Sequence, residues 1–371
     1  MRKIIVRFAV TALRIINLFF RPLSLKEKVV IISRQSDEPT LDIRILDKCL
    51  QENGVQTVVL TKTLKKSLTG AISYCLQMIR QMYHLATSKV VVIDGYCILV
   101  SVLPKKKEQS VIQMWHALGA IKKFGWQNTD NPDGHGREFS EIMCMHKNYD
   151  YVLAPSKITG EFFAEAFRTP MEKIVYYGLP RIDFIRESDE ARKKVICGRY
   201  PKAGEKTNVL YVPTFRKNAE LGLEKFVSGF DFTKFNLIIK KHFLDKGDYG
   251  WAEKAGAIVD SEFSSLEWLR ISEKVITDYS AMAFEAAILD RDLYIYQPDV
   301  ADYSHNVGLN VRLNEEAIGG YVCRTEEELF KKLDEPYRKD AVIEFRKKYL
   351  EIDLEHCTQN FCGVITKLLK K

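Results

Sequence analysis

The sequence predicts two successive doubly wound α/β units, and three observations support this fold class. The chain has 371 residues, more than a single compact core usually holds. Short β-rich runs alternate with longer helical runs, which is the pattern of parallel sheets covered by helices on both faces. The alternation restarts after a charged and polar stretch, so we place the boundary between the units near residues 180–205.

The N-terminal segment stands apart from both units. Residues 4–20 are strongly apolar, but Arg7 and Arg14 are costly in a bilayer core and the stretch is short for a span. It lacks a small-residue cleavage site, so a signal peptide is not expected. On a helix, the polar stripe would comprise Lys3, Arg7, Thr11, Arg14 and Arg21, and the apolar face Ile5, Phe8, Leu13, Ile16, Phe19 and Phe20. We expect residues 1–24 to lie in the headgroup region of an anionic leaflet, or alternatively to pack that face on their own domain.

The first unit contains strand-like runs separated by helical ones. A Ser at position 156 is a suitable N-cap for the helix that follows it. The predicted strands are Val29–Ser33, Val55–Leu60, Val90–Asp94, Ser110–Met114 and Tyr149–Ala154, and the predicted helices are 42–51, 64–85 and 157–167.

The second unit repeats this alternation. Its predicted strands are Val209–Val212, Phe235–Lys240, Ala257–Val259, Val275–Thr277 and Leu293–Tyr296, and its clearest predicted helices are Ser264–Ile271 and Ala281–Leu289. The tail 326–371 is helical and charged, and by analogy such tails often cross back onto the first domain. The expected organisation is therefore a membrane-associating helix over 1–24, a first domain over 25–185 and a second over 186–371.

Composition adds a charge bias and a redox state. The apolar fraction is 46% and the net charge is +7, which fits a phosphate-bearing substrate, an anionic membrane or nucleic acid, and equally a protein with many surface lysines. The eight cysteines form no C-x-x-C pair, and several, including Cys75 and Cys97, lie in apolar runs. We therefore expect buried free thiols rather than disulfides, and no metal site.

Ligands of parallel α/β sheets bind at the carboxyl ends of the strands. The polar residues that follow the predicted strands are therefore the candidate site residues. They are Asp94, His116, Thr214 to Arg216, His242, and Asp278 to Ser280.

The segment Thr277 to Ser280 leads from a strand directly into a helix of small and apolar residues. The first turn of such a helix offers unpaired N–H groups and the hydroxyls of Ser280 and Thr277, an arrangement that suits phosphate. Asp278 would cap the helix or accept from a ribose or polyol hydroxyl. The alternative is a plain N-cap without a ligand.

His116 follows a strand and precedes a glycine-containing turn with Lys122 and Lys123. This setting suits acid–base chemistry beside an anion, although such a histidine can also be purely structural. Further cations follow two strands of the second unit, and Arg181 lies in a turn near the interdomain joint, where it could face a cleft. Each of these cations alone could also belong to a solvated surface.

Together and in this order, the segments resemble the CDP-glycerol glycerophosphotransferase family, the teichoic-acid primases and polymerases of Gram-positive bacteria. The matching segments span about two-thirds of the chain, from roughly 90 to 300. They are Trp115 to Gly125, Tyr177 to Asp183, Val212 to Arg216, Ile239 to His242, and Thr277 to Glu285 running on to Asp299. Departures from the common family pattern include Ala117, Phe243 and Ala281.

The resemblance implies a GT-B-like fold, with two Rossmann-type domains that face each other across a cleft, on the cytoplasmic face of the membrane. The amphipathic N-terminal helix inferred from the residues agrees with this location. It implies an essential histidine in each domain, here His116 and His242. It also implies donor and phosphate binding by the P-T-[WF]-R and D-Y-S motifs, here Thr214 and Arg216, and Asp278, Tyr279 and Ser280. We add Lys122 and Arg181 from their position. No cofactor or metal is expected.

The expected reaction is transfer of a polyol phosphate from CDP-glycerol, or another CDP-polyol, to a hydroxyl of a lipid-linked saccharide acceptor, with release of CMP. His116 would be the general base, with His242 as the alternative base. The rivals are CDP-ribitol as the donor, a GT-B glycosyltransferase that uses a nucleotide sugar, and a non-catalytic basic protein. Nucleic acid is not expected as a partner. With little sequence ahead of the first unit, a primase or short-chain transferase is expected.

Overall fold

The computed structural model describes residues 2–65, 67–132, 134, 136–214, 223–241, 245, 247–311, 313, 315–318 and 320–371. The chain divides into two compact units. Unit 1 comprises residues 1–183, 306–308 and 351–371, and unit 2 comprises residues 184–305 and 309–350.

Unit 1 is built on a parallel six-stranded sheet in the order β2-β1-β3-β4-β5-β6. The chain moves from β1 outward to β2 and then returns to the other side of β1, so the strand order reverses between β1 and β3. Such a reversal leaves a crevice at the carboxyl ends of the two strands. The strands are β1 Lys26–Ser33, β2 Gln56–Thr61, β3 Ser88–Ile93, β4 Ser110–Gln113, β5 Tyr151–Ala154 and β6 Ile174–Tyr176.

Helices cover both faces of this sheet. The helices of this part of the chain are α1 Arg2–Asn17, α2 Leu41–Glu52, α3 Leu68–Thr87, α4 Ile98–Val102, α5 Arg137–Ile142, α6 Lys157–Phe167 and α7 Arg181–Arg186, with short 3₁₀ turns at Gly125–Asn128 and Met171–Lys173. The unit boundary falls within α7. Side chains from α1, α3, α4 and α6 form one core with the alternate residues Val30, Ile32, Val91 and Ile93 of the sheet. The alternation of β-strand side chains assigns these four helices to one face.

Unit 2 has a second parallel sheet in the order β12-β11-β10-β7-β8-β9, so its strand order reverses between β7 and β10. The elements are α8 Glu190–Arg199, β7 Thr207–Val212, α9 Leu223–Gly229, β8 Phe235–Ile239, α10 Gly250–Ala255, β9 Ile258–Val259, α11 Ser265–Arg270, β10 Lys274–Thr277, α12 Met282–Ile288, β11 Asp292–Tyr296, α13 Val300–Asn306, α14 Glu315–Ile318, β12 Val322–Cys323, α15 Glu326–Asp334 and α16 Lys339–Tyr349, with a 3₁₀ turn at Pro201–Gly204.

The last helix, α17 (Cys357–Leu369), belongs to unit 1 and packs on α2 and β3. Its first turn is capped by a side chain from far away in the sequence, since the Asp183 carboxylate accepts from the backbone N–H groups of Cys357 and Thr358 at 3.0 and 2.8 Å. Asn53 donates to the Cys362 sulfur at 3.7 Å and joins α2 to the same helix.

The N-terminal helix α1 packs on unit 1 through a narrow face. Val10 is buried, and Val6, Leu13 and Phe20 pack against the same core. The predicted apolar face is therefore divided, because Leu13 and Phe20 pack on unit 1 while its other members are exposed. The exposed large side chains of this segment are Ile4, Ile5, Phe8, Ile15, Ile16, Leu18 and Phe19.

Two polar residues of the predicted cationic stripe contact the rest of unit 1. Arg14 donates to the Val102 carbonyl oxygen at 3.2 Å, and Lys3 forms an ion pair with Glu138. In the part of the chain that the structure describes, no helix is long and apolar enough to cross a bilayer.

Cysteine burial agrees only partly with expectation. All eight cysteines are free thiols, and Cys97 is buried as predicted, but Cys75 is exposed. The reason is the orientation of α3, which turns Leu76 outward together with Cys75.

Candidate active site

The crevice of unit 1 lies where β1 and β3 end. Ile32 pairs with Ile93, so the segments after both strands meet at one edge of the sheet. There the Ser33 hydroxyl donates to Asp94 Oδ2 at 2.8 Å. Asp94 is only 2% exposed, and its Oδ1 has no hydrogen-bond partner among the described residues. A cavity of about 230 Å³ at this edge is lined by Arg34, Gln35, Asp94, Gly95 and Tyr96, together with Ile32 and Cys97.

His116 follows β4 at the same edge, and its hydrogen bond fixes the ring tautomer. Nδ1 lies 2.8 Å from the Asp94 backbone carbonyl oxygen, which can only accept, so Nδ1 carries the proton. The remaining nitrogen, Nε2, then has a free lone pair in the neutral ring. Burial lowers the pKa of His116, the hydrogen bond to Asp94 opposes this shift, and the charge of Arg181 adds to it, so the neutral ring is favoured at physiological pH. This is the state that a general base requires.

Two side chains border the His116 ring. The Trp115 and His116 ring centroids are 4.2 Å apart, and Trp115 also stacks on Phe124 at 4.6 Å. Trp115 has a φ of 59°, a left-handed conformation that is strained for a bulky residue. The Gln35 amide nitrogen lies 3.1 Å from Nδ1. Because Nδ1 already carries its proton, this contact is a hydrogen bond only if the amide oxygen is turned toward the ring.

Arg181 supports the backbone of His116. Its Nη2 donates to the His116 carbonyl oxygen at 3.0 Å, while its Nε donates to Asp42 Oδ2 at 2.8 Å and its backbone N–H donates to Asp42 Oδ1 at 2.8 Å. Asp42 is buried on the first turn of α2, so this ion pair joins α2 to the strand-end loop. The phosphate contact predicted for Arg181 stays a prediction, and the position observed here is that of a positioning residue.

The neighbouring motif residues also have structural roles. A side chain at Gly178 would lie 2.4 Å from the Cys357 sulfur, so the close approach of α17 requires glycine there. Lys122 is half-buried in the segment after β4, and its predicted contact with phosphate stays a prediction.

The crevice of unit 2 lies where β7 and β10 end, and Thr277 pairs with Val212 at that point. The Thr214 backbone N–H donates to both carboxylate oxygens of Asp278 at 3.0 Å each, and the Tyr279 N–H donates to Oδ1 at 2.6 Å. Asp278 is 1% exposed. Its carboxylate joins the two strand-end loops. It does not cap α12, so the helix cap suggested by the sequence is wrong.

Tyr279 and Ser280 complete the predicted strand-to-helix turn. The Tyr279 ring is buried and stacks on Tyr303 at 3.9 Å, and its hydroxyl donates to Asp299 Oδ1 at 3.1 Å. Ser280 is half-buried, and its hydroxyl accepts from the Met282 N–H at 3.3 Å at the start of α12. Thr277 is fully buried and its hydroxyl donates to the Val212 carbonyl oxygen at 2.8 Å, so its suggested phosphate contact is wrong.

Two residues at this edge were not found from the sequence. Arg324 follows β12, and its guanidinium donates to Gln297 Oε1 at 2.8 Å. Gln297 follows β11, and its amide donates to the Asp278 carbonyl oxygen at 3.4 Å. Gln297 directly follows the predicted strand Leu293–Tyr296, so the strand-end rule would have indicated it. Arg324 had no such signal, because β12 has only two residues.

The cations that follow β7 and β8 divide into two groups. Lys240 is buried and donates to Asp260 Oδ2 at 2.8 Å, while the same carboxylate oxygen accepts from Trp268 Nε1 at 2.8 Å. Lys240 therefore holds β8 and α11 together rather than a ligand. The predicted site residues Arg216 and His242, and with them Phe243, lie outside the described residues.

The described part of the chain contains no group of side chains that could bind a metal ion. Among these residues, no three His, Cys, Asp or Glu side chains are grouped so that they could hold a metal ion.

The family model described as CDP-Glycerol:Poly(glycerophosphate) glycerophosphotransferase matches residues 16–367. The chain belongs to this glycerophosphotransferase family. The resemblance seen in the sequence is therefore confirmed, and the protein is a phosphotransferase of the type that uses CDP-polyols in teichoic acid synthesis.

Relatives of this glycerophosphotransferase include primases for two different polyols. It is 32% identical to the teichoic acid ribitol-phosphate primase of Bacillus spizizenii over 75% of this chain and 74% of that protein. It is 26% identical to the teichoic acid glycerol-phosphate primase of Bacillus subtilis over 82% of each chain.

Solved structures show the same fold. The wall teichoic acid polymerase TagF covers 100% of this chain with a TM-score of 0.75 at 18% identity, and 97% of that chain is matched. A UDP-GlcNAc 2-epimerase from Methanocaldococcus jannaschii covers 93% of this chain with a TM-score of 0.58 at 13% identity, and all of that chain is matched. The two parallel sheets and these likenesses confirm a GT-B-like fold of two Rossmann-type domains.

Proposed function

We propose that this glycerophosphotransferase transfers glycerol phosphate from CDP-glycerol to a hydroxyl of a membrane-anchored teichoic-acid-type acceptor and releases CMP. The observation that carries the proposal is the tautomer of His116, which leaves Nε2 as a free base at the carboxyl edge of unit 1. One of the solved TagF structures was obtained with CDPG soaked into the crystal, which supports CDP-glycerol as the donor.

In this reaction, Nε2 of His116 takes the proton of the acceptor hydroxyl as its oxygen attacks the glycerol-bearing phosphorus. The new oxygen–phosphorus bond forms while the phosphorus–oxygen bond to CMP breaks, and CMP leaves with the electron pair. The hydrogen bond from Nδ1 to the Asp94 carbonyl oxygen strengthens as the ring becomes positively charged. The lowered pKa of His116 keeps the base unprotonated between turnovers.

We assign the donor to the crevice of unit 2, because ligands of open α/β sheets bind where the strand order reverses. Asp278 fixes the two loops of that crevice. The Ser280 hydroxyl and the exposed Arg324 guanidinium would bind the phosphate oxygens. The buried Tyr279 ring would support the loop that follows β10. Thr214, Arg216 and His242 remain predicted donor contacts.

CDP-ribitol is the second candidate donor, and a specific observation favours it. The relative with 32% identity is a ribitol-phosphate primase, whereas the glycerol-phosphate primase of Bacillus subtilis is 26% identical. The acceptor and the catalytic base are the same in both cases.

The test is to incubate the purified protein and a lipid-linked disaccharide acceptor with CDP-glycerol, CDP-ribitol or a UDP-sugar in separate reactions. Released nucleotide and the mass of the lipid product are measured. We expect CMP and a product heavier by one or more glycerol phosphate units. Product formed only from CDP-ribitol would establish the second donor, and release of UDP would establish a glycosyltransferase instead.

We further propose that the protein lies on the cytoplasmic face of the membrane, held by two helices of unit 1. The outer side of α1 exposes apolar side chains, and Phe8 is 75% exposed. A second stripe runs along α3 through Leu68, Ile72, Leu76, Ile79 and Tyr83, at the spacings of one helical face. Both helices lie on the same face of the sheet, and such exposed apolar area marks a membrane or protein interface.

Sedimentation with vesicles tests this assignment. We expect the pairs Ile5→Gln/Phe8→Gln and Ile72→Gln/Leu76→Gln each to weaken binding to vesicles that contain phosphatidylglycerol. Val195 is an exposed apolar residue of unit 2, and Val195→Gln is the matched control that should leave binding unchanged. Equal binding by all variants would contradict a membrane role for these helices.

A further inference from the structure

A second cavity of unit 1 lies at the opposite edge of the sheet from His116. Its volume is about 320 Å³, and it is lined by residues that precede β3 and β4, including Ala86 and Gln109. The ends of α1 and α3 also border it, through Arg21 and Leu85. Because it lies at the amino ends of the strands, this cavity is separate from the crevice in which we place the chemistry.

Cations surround the cavity. Arg21 and Lys107 are exposed, and neither forms an ion pair with a described residue. Lys106 donates to the carbonyl oxygens of Ala86 at 2.8 Å and of Leu23, which leaves one ammonium hydrogen for a ligand. Lys105 is already paired with Asp150, and Glu108 is a single exposed carboxylate at the lining. The balance of charge therefore favours an anion.

The Lys106 side chain is half-buried, and this burial lowers its pKa, while the nearby Glu108 carboxylate opposes the shift. An anion at this position would restore the lost stabilisation. The inner wall of the cavity is apolar, because Leu99 and Leu103 are buried and line it. The cavity thus combines a cationic rim with a hydrocarbon wall.

We propose that this cavity binds the phosphate headgroup of an anionic phospholipid in the membrane on which the protein lies. The inference rests on the proposed membrane association, since the last turns of the two helices with exposed apolar stripes, α1 and α3, both line the cavity. A phosphodiester would lie between Arg21, Lys106 and Lys107, and the glycerol backbone and upper acyl carbons would lie against the leucine wall. One lipid would then tie the ends of both helices to the leaflet.

The decisive probe is a phospholipid with short acyl chains that stays soluble, because it separates binding in the cavity from insertion of helices into a bilayer. Calorimetric titration with dihexanoyl-phosphatidylglycerol should show saturable binding that is tighter than for dihexanoyl-phosphatidylcholine. Arg21→Gln/Lys107→Gln should weaken it on the order of 10-fold, since each exposed ion pair with the phosphate contributes up to about 1 kcal/mol. Ala86→Leu, which fills the cavity without changing its charge, should also weaken it.

The matched control is Lys194→Gln/Lys347→Gln, which removes the same charge from two exposed positions of unit 2. Equal weakening by the control pair, equal binding of the two lipids, or unchanged binding in Ala86→Leu would each overturn the inference. Equally tight binding of inorganic phosphate would assign the cavity to a free anion and overturn the lipid. If the protein binds the soluble lipid but not vesicles, lipid binding in the cavity is supported and the proposed membrane association fails. If it binds vesicles but not the soluble lipid, membrane association is supported and lipid binding in the cavity is overturned.

Discussion

The backbone N–H of Thr214 donates to both carboxylate oxygens of Asp278, each at 3.0 Å, across the point where the strand order of the second sheet reverses. The same carboxylate accepts from the Tyr279 N–H. One buried side chain therefore sets the distance between the two loops to which we assign the donor phosphates.

We expect Asp278→Ala to lower the free energy of unfolding by about 3 kcal/mol, because two buried N–H groups lose a charged acceptor. Urea unfolding monitored by fluorescence measures this change. Asp302→Ala, on the exposed side of α13, is the control and should be nearly neutral. A change below about 0.5 kcal/mol for Asp278→Ala, the range typical of ordinary surface substitutions, would show that the carboxylate does not hold the loops.

Arg181 and Asp42 form a buried ion pair, so removing one partner should cost more than removing both. Arg181→Ala leaves the Asp42 carboxylate buried and unpaired, and we expect a loss of about 3–5 kcal/mol in the free energy of unfolding. The double variant Asp42→Asn/Arg181→Gln should lose clearly less. Activity gives a second readout, because Arg181 also donates to the His116 carbonyl oxygen. If the single and double variants are equally stable, the pair does not act as a unit.

We expect the stability of the protein to depend on pH because the pKa of Asp94 is raised. Burial raises its pKa to about 6, with the Asp42 charge adding to the rise and the Ser33 hydrogen bond opposing it. The folded state thus binds the Asp94 proton more tightly than the unfolded state, and stability from this group falls as pH rises from about 4 to about 6. The full difference is about 3 kcal/mol.

Asp94→Asn should remove this decline, so the variant should gain stability relative to the original protein between pH 4 and pH 7. Thermal unfolding across that range measures the difference. Parallel curves for the two proteins would contradict a raised Asp94 pKa.

We expect protonation of His116 to produce the acid limb of the pH–rate profile. Since burial lowers its pKa below the ordinary value near 6.5, kcat/KM should fall only at pH values below that point. His116→Ala should reduce kcat by ~10²–10⁴-fold and remove this limb. His305→Gln, at an exposed position in unit 2, should keep both the original kcat and the acid limb. If His116→Ala keeps the limb, another group, with His242 as the first candidate, is the base.

The fold could be predicted because alternation of apolar strands and helices is a strong local signal. Parallel strands such as β1 and β3 are buried on both faces, so Val29 to Ile32 and Val90 to Ile93 appear as continuous apolar runs. The short strands at the sheet edges were not predicted. Ile174–Tyr176 and Val322–Cys323 are too brief for a periodic pattern to develop.

The site could be predicted in position but not in detail. The strand-end rule located His116 and Asp278 correctly at their sheet edges, since it depends only on where strands stop. It could not show that Asp42 pairs with Arg181 or that Asp183 caps α17, because these contacts join residues more than 130 positions apart. A cation such as Lys240 gives the same sequence signal whether it faces a ligand or a buried carboxylate.

The position of α17 has a consequence for biosynthesis. A ribosome completes residues 1–183 long before it reaches residue 357, so the surface of α2 and β3 that α17 covers stays unprotected while all of unit 2 is made. Asp42 and Arg181 can pair early, but the Asp183 carboxylate must wait for the N–H groups of Cys357 and Thr358. Completion of the first unit therefore follows synthesis of the second, and premature termination within α17 damages the domain that was translated first.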